Sequence, residues 1–122
     1  MATRAYSWIE TPYDAHGVRL IQWTGLLNGD DGTPFLGAPF NDRSIQVLGT
    51  FGVGGTLVME GANAMLSPTW HGLADPQGNA LSFTSGRTEA VLEVTTQIRP
   101  RVTAGDGTTT LTVLMLVVQT GR

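Results

Sequence analysis

The residue types that could carry chemistry in this chain are few and scattered. Its two histidines, His16 and His71, stand far apart. His71 follows Trp70 in a short run beside a turn, and no G-x-S-x-G elbow accompanies either histidine. A lone histidine without nearby partners reads as a surface or loop residue. The run Asn28-Gly29-Asp30-Asp31-Gly32, with Asp14 and Asp42, is rich in oxygen ligands of the kind that hold calcium. It lacks the alternating acidic spacing and the closing glutamate of a calcium loop, and Asp or Asn beside Gly is ordinary turn chemistry. Gly49-Thr50-Phe51-Gly52-Val53-Gly54 looks like a phosphate loop only in its glycines. It has no Gly-Lys-Ser/Thr ending and no following helix to aim at a phosphate. Glu60, Glu89 and Glu93 could form a carboxylate pair, but nothing in the sequence sets two of them across a cleft. There is no cysteine, which removes thiolate metal sites and disulfides. The expectation is a protein with no catalytic residues, no cofactor and no metal, so not an enzyme.

What remains is binding. Charged residues make up 14% of the 122 positions, against roughly 25% in an average protein. The formal net charge is -3, all seven basic residues are arginines, and lysine is absent. A monomer ordinarily coats itself with ions, so a surface this bare is expected to meet other protein. Arginine is also the cation favoured at interfaces. A compositional bias that replaces Lys by Arg accounts for the same counts equally well. Net acidity argues against general nucleic-acid binding. Met1–Glu10 has no apolar core and does not read as a secretory leader. The apolar run ending at Val118 is far shorter than the ~20 residues of a membrane helix.

The elements that must position any binding residues are short β-runs between turn signals, with sixteen glycines and six prolines. This pattern predicts an all-β, single-domain β-sandwich or jelly-roll-like barrel of about eight strands. Residues 1 to 16 read as an N-terminal arm with a possible strand at Ala5–Ile9, and residues 17 to 122 as the sandwich. Residues 24 to 43 read as a long loop whose apolar Leu26, Leu27, Phe35, Leu36 and Phe40 must pack on its own domain or on a neighbouring subunit, the neighbour being preferred. Ser44–Phe51 and Thr56–Gly61 alternate around a glycine-rich tip and predict a hairpin. Gln97–Thr103 contains Pro100, which lacks the ladder donor, and so predicts an edge strand. Arg99 and Arg101 share one face of it, where they would either shield an edge or pair with carboxylates of an adjacent protein. Thr108–Gln119 turns apolar on both faces and predicts a central, doubly covered strand.

One stretch of the chain also resembles a known family. The quoted runs are Gly49-Thr50-Phe51-Gly52, Leu57-Val58-Met59-Glu60-Gly61-Ala62-Asn63, Trp70, Asp75-Pro76-Gln77-Gly78-Asn79-Ala80-Leu81-Ser82-Phe83-Thr84, and Ile98 through Thr109. Across about residues 43 to 118 they resemble small virion proteins of tailed bacteriophages, with the capsid decoration, or cement, proteins as the nearest role. That resemblance implies a β-sandwich or jelly-roll module, a homo-oligomer (dimer or trimer), seated on the outer head and clamping neighbouring major capsid subunits. It implies a virion protein made in the bacterial host cytoplasm, with no catalytic residues. The expected partner interface is Trp8, Ile9, Phe35, Leu36, Phe40, Arg99 and Arg101. A tail or adaptor structural protein is the nearer alternative. A carbohydrate-binding β-sandwich, stacking sugars on Trp70, Trp23 and Tyr13, is the farther one.

Overall fold

The computed structural model describes residues 1–9, 17–37 and 39–120. They form twelve strands in two sheets, and no helix occurs among the described residues. The all-β sandwich is as expected. Five of the strands have only two residues; the other seven come close to the expected count.

One sheet, sheet B, carries the longest strands: β2 (Tyr6–Ile9), β3 (Val18–Leu26), β6 (Asp42–Thr50), β10 (Arg87–Ala90) and β12 (Thr110–Val118), in the order β10-β6-β12-β3-β2. β12 is central, as its two apolar faces imply. Its inward residues Leu111, Val113, Met115 and Val117 are fully buried. Met115 lies opposite Ile45 on one side and Ile21 on the other, so three strands present one apolar row to the core.

The other sheet, sheet A, runs β1 (Thr3–Arg4), β4 (Asp31–Gly32), β11 (Gln97–Ala104), β7 (Thr56–Ala62), β8 (His71–Gly72). β5 (Phe35–Leu36) also pairs with β11, and β9 (Ser82–Phe83) with β7. Its inward residues Leu57, Met59, Phe83, Ile98 and Val102 meet the row on sheet B, giving the usual two-layer core.

Three expectations are corrected here. Ser44–Phe51 and Thr56–Gly61 are not a hairpin: β6 belongs to sheet B and β7 to sheet A. The glycine-rich stretch between them is a crossover between layers. Its tightness explains the glycines. Gly52 has φ +74°, and a Cβ on Gly55 would run into the carbonyl of Phe51. Residues 24 to 43 are not one loop, since β3 continues to Leu26 and β4 and β5 follow. Nor is β11 an edge strand. β7 pairs along one side, and β5 and β4 cover the other, at Gln97–Ile98 and Arg101. On that side the Val102 amide donates to the Asp30 carbonyl, so by alternation the position of Pro100 falls in the gap between the two short strands. A residue without an N–H is tolerated inside a sheet where the neighbouring strand is interrupted.

Candidate interaction surface

The sandwich is closed along one side by aromatic rings. β2 is the edge of sheet B, and its alternation turns Tyr6 and Trp8 inward, opposite Trp23 and Ile21. β5 turns Phe35 inward beside Ile98. Tyr6 meets Trp23 and Phe35 edge-on at centroid distances of 5.8 and 5.6 Å. Trp8 meets Phe35 at 5.8 Å, and Phe35 meets Phe40 at 6.1 Å. The Tyr6–Trp23, Tyr6–Phe35 and Trp8–Phe35 pairs are edge-to-face, which fixes ring orientation beyond simple burial, and Phe40 is tilted against Phe35. Trp8 stands at the mouth of the cluster, 55% exposed. The Arg19 guanidinium lies 6.0 Å from its ring centroid, near the outer limit of a cation–π contact. Among the described residues, Arg19 donates to the Val18 carbonyl alone, whereas Arg4, Arg87, Arg99 and Arg101 are all paired with carboxylates.

The sequence-selected residues Trp8, Phe35 and Phe40 are therefore brought together, but with different roles. Phe35 is a core residue, 2% exposed, because its pairing with β11 aims it between the sheets. It supports Trp8 from behind and presents no surface. Phe40 is half-buried against the same core. Ile9, the last residue of β2, is half-buried. Leu36 points to the opposite side from Phe35 and is exposed on the outer face of sheet A.

Arg99 and Arg101 do project from one face, but the carboxylates they meet belong to this chain. Arg99 reaches Asp31 at 3.2 Å and Glu60 at 3.1 Å, and Arg101 reaches Glu60 at 3.2 Å. The Trp70 ring lies against the Arg99 guanidinium, 4.2 Å from centroid to cation. The sequence hid this arrangement because Asp31 was read as loop, whereas β4 sets it opposite Arg101. The same register gives the neighbouring aspartates partners within the chain, while Asp14 lies outside the described residues. Asp31 accepts from the Thr3 hydroxyl as well as Arg99. Asp30 accepts from the Ala2 and Leu27 amides and from Arg4 Nε. Burial opposes ionisation of Asp30, but those donors outweigh it and hold its carboxyl below the usual carboxylate range. Among the described residues no three His, Cys, Asp or Glu side chains gather into a metal-binding group.

Arg43, which sequence reading passed over, is almost wholly buried. It donates to the carbonyls of Phe40, Gly37 and Thr95 at 3.0, 2.7 and 2.9 Å, tying the β5–β6 connection to the start of β11. Burial pulls its guanidinium below the usual arginine range. Of the proposed sugar-stacking rings, Trp23 is fully buried and donates to the Thr33 carbonyl. One face of Trp70 is covered by Arg99. Tyr13 and His16 lie outside the described residues, and His71 is exposed in β8.

Two further apolar features were not foreseen as sites. Leu66 and Met65 project from the Asn63–Pro68 loop. On the outer face of sheet B, a groove of about 490 Å³ has a mixed lining, with Asp42, Arg43 and Ser44 on one side and Pro76, Ala90, Val91, Leu92, Leu116 and Val118 around the rest. The alternation Leu114, Leu116, Val118 was its visible signal, and Leu116 is exposed there.

No protein-family model matches the chain, and no curated protein matches it in sequence. Among solved structures, the fold is similar to that of the SPBc2 prophage-derived protein YomS. That match has a TM-score of 0.60 at 12% identity and covers 83% of this chain and 94% of the other. Two looser matches are an RmlC-like cupin protein from Desulfovibrio desulfuricans and cobalt(II) HppE in complex with Tris. The first has a TM-score of 0.48 and 12% identity, covering 93% of this chain and 80% of that one. The second has a TM-score of 0.49 and 15% identity, covering 92% and 51%. The likeness to YomS is one of fold alone.

Proposed function

We propose that the protein is a non-catalytic structural component of a bacteriophage virion, a capsid decoration protein that clamps neighbouring major capsid subunits on the outer head. The observation that carries this reading is the seam of the sandwich. There an exposed tryptophan is backed by a rigid aromatic cluster and flanked by Arg19, the one exposed arginine among the described residues with no carboxylate. Tryptophan and arginine are the residue types that most often dominate binding energy at protein interfaces. The prophage origin of a protein with the same fold supports the phage setting. The mechanism is mechanical. A clamp that buries roughly 1,500 Å² at a junction stabilises the assembled shell by mass action, because only the assembled form presents the site.

The test is attachment to isolated heads. Trp8→Ala is expected to weaken binding by roughly 2 kcal/mol, about thirtyfold. It should lower the folding stability of the free domain by only about 1 kcal/mol. Phe35→Ala should instead cost about 3–5 kcal/mol of stability through the cavity it leaves. Unchanged attachment of Trp8→Ala would overturn the clamp. Copy number in imaged particles separates the head role from a tail or adaptor role: many copies spread over the shell, or few at one vertex.

A further inference from the structure

We propose that Asn28 is a site of spontaneous covalent modification, in which the Gly29 amide closes a succinimide ring on the Asn28 side chain and converts the asparagine to aspartate and isoaspartate. Asparagine before glycine is the pair most open to this reaction, because glycine carries no side chain to hinder the ring and turns freely about its backbone. Of the four asparagines in the chain, Asn28 is the one that precedes glycine. It lies exposed in the turn between β3 and β4. The Asp30 amide donates to the Leu27 carbonyl at 3.0 Å, Gly29 has φ +85°, and Asn28 has no positive φ. These are the marks of a type II turn with glycine at its third position. The peptide between Asn28 and Gly29 takes no part in the bond that closes the turn. Among the described residues the Gly29 amide donates to no acceptor, and a Cβ placed on Gly29 would meet nothing within 4 Å. The attacking nitrogen is therefore neither bonded nor crowded.

The other residues capable of this ring are held back. Asn41 precedes Asp42, Asn63 precedes Ala64 and Asn79 precedes Ala80, so each ring would form against a side chain. Asn41 Oδ1 accepts from the Thr120 amide at 2.8 Å, and Asn63 Oδ1 accepts from the Thr96 amide at 3.0 Å. The Asn79 amide and side chain both donate to Asp75. Two Asp-Gly pairs, Asp31-Gly32 and Asp106-Gly107, could close the same ring, but an ionised carboxylate resists attack by nitrogen. Asp31 is paired with Arg99, and the donors around Asp106 hold it ionised down to a pKa of about 2. Asn28 has a single, long tie at an exposed position, from Nδ2 to the Gly105 carbonyl at 3.3 Å.

Water is the sole co-reactant. The Gly29 nitrogen bonds to Asn28 Cγ and gives up its proton to solvent. The Cγ–Nδ2 bond breaks, and Nδ2 takes up a proton and leaves as ammonia. Water then adds to either carbonyl of the ring. Cleavage at Cγ leaves aspartate in an ordinary main chain. Cleavage at the backbone carbonyl leaves isoaspartate, with the chain running through the side chain and one methylene longer. Either product adds a negative charge to the formal -3 and removes the donor that met the Gly105 carbonyl. Isoaspartate also lengthens the turn that places Asp30, whose carboxylate accepts from the Leu27 and Ala2 amides and from Arg4 Nε. The modified chain holds its N-terminal strand less firmly.

Incubation of the intact chain at mildly alkaline pH, followed by tryptic mass mapping, tests this. The peptide Leu20–Arg43 should gain the mass difference between an amide and an acid and divide into aspartate and isoaspartate forms. The isoaspartate form should accept a methyl group from isoaspartyl methyltransferase. The rate should rise with pH, because the attacking amide must lose its proton. Asn28→Ser should lose the product completely. The native rate should lie within about tenfold of the rate in urea-unfolded chain, because no local opening has to come first. Folding that slows the reaction at Asn28 by more than this overturns the proposal. So does a product that appears first at Asn41, Asn63 or Asn79, or isoaspartate that forms first at Asp31 or Asp106.

Discussion

Asp106 shows how a single side chain holds two distant turns together. The hydroxyl and amide of Thr108 both donate to it, at 2.6 and 2.8 Å, and the amide of Val53 donates at 2.9 Å. These donors, Thr108 foremost, lower its pKa to about 2 from an ordinary 3.8. A depressed carboxylate pKa favours the folded state while the group is ionised. Its contribution is complete above pH 3.8 and is lost as pH falls toward 2. Thermal melts between pH 5 and pH 2 should show the wild type losing stability through this window. Asp106→Asn should be less stable at pH 5 and flatter over the same range; parallel curves for the two proteins would refute the assignment. From sequence, Ala104-Gly105-Asp106-Gly107 reads as a hairpin turn; the turn is there, because turn chemistry is local, but it joins β11 of sheet A to β12 of sheet B rather than two paired strands. Its partner Val53 was not legible, because the link spans two layers.

Among the elements, the crossover between β6 and β7 is the most constrained. The chain leaves sheet B at Thr50 and enters sheet A at Thr56. Thr109 Oγ1 donates to the Phe51 carbonyl on the way, at 2.7 Å. Gly55→Ala forces a methyl group toward that same carbonyl, and the backbone must shift to admit it. The expected loss is about 2 kcal/mol or more in denaturant unfolding, while Gly54→Ala, with open space around it but φ +70°, should cost about 1 kcal/mol. Equal effects at the two positions would mean that close approach is not what fixes Gly55. The same element shows a limit of sequence reading. Alternation identified both strands correctly, but period two does not say which sheet a strand joins. A glycine-rich link between two alternating runs fits a hairpin and a layer crossing alike. β11 misled for a related reason: Pro100 signals a missing donor, and a broken neighbouring strand satisfies that requirement as well as an open edge does.

For the whole molecule, topology sets the pace of folding. β12 pairs with β3 from Val118↔Val18 to Leu111↔Leu26, so the centre of sheet B joins the two ends of the chain. A sandwich dominated by such distant pairings should refold in milliseconds to seconds rather than microseconds. Stopped-flow tryptophan fluorescence, reporting mainly the burial of Trp23, measures it directly. A microsecond phase that recovers the full amplitude would contradict this. At this scale the sequence was most informative. Composition and strand spacing indicated a two-layer β-protein with a central, doubly apolar last strand. The seam was half legible. Trp8 and Phe40 stood out as apolar residues outside the regular pattern, but Phe35 belongs inside because the pairing of β5 with β11 could not be read from a two-residue strand.

The break opposite Pro100 has a consequence for this chain whenever it is concentrated in solution. Exposed sheet margins recruit one another when they offer a long uninterrupted row of amides and carbonyls. Here the flank of β11 is tiled by two dipeptide strands with a proline at the joint, and β1 adds only two residues beyond β4. No incoming segment finds more than a few consecutive partners there. Crowded neighbours are thereby steered away from indiscriminate ladder growth on that flank and toward contacts made through side chains.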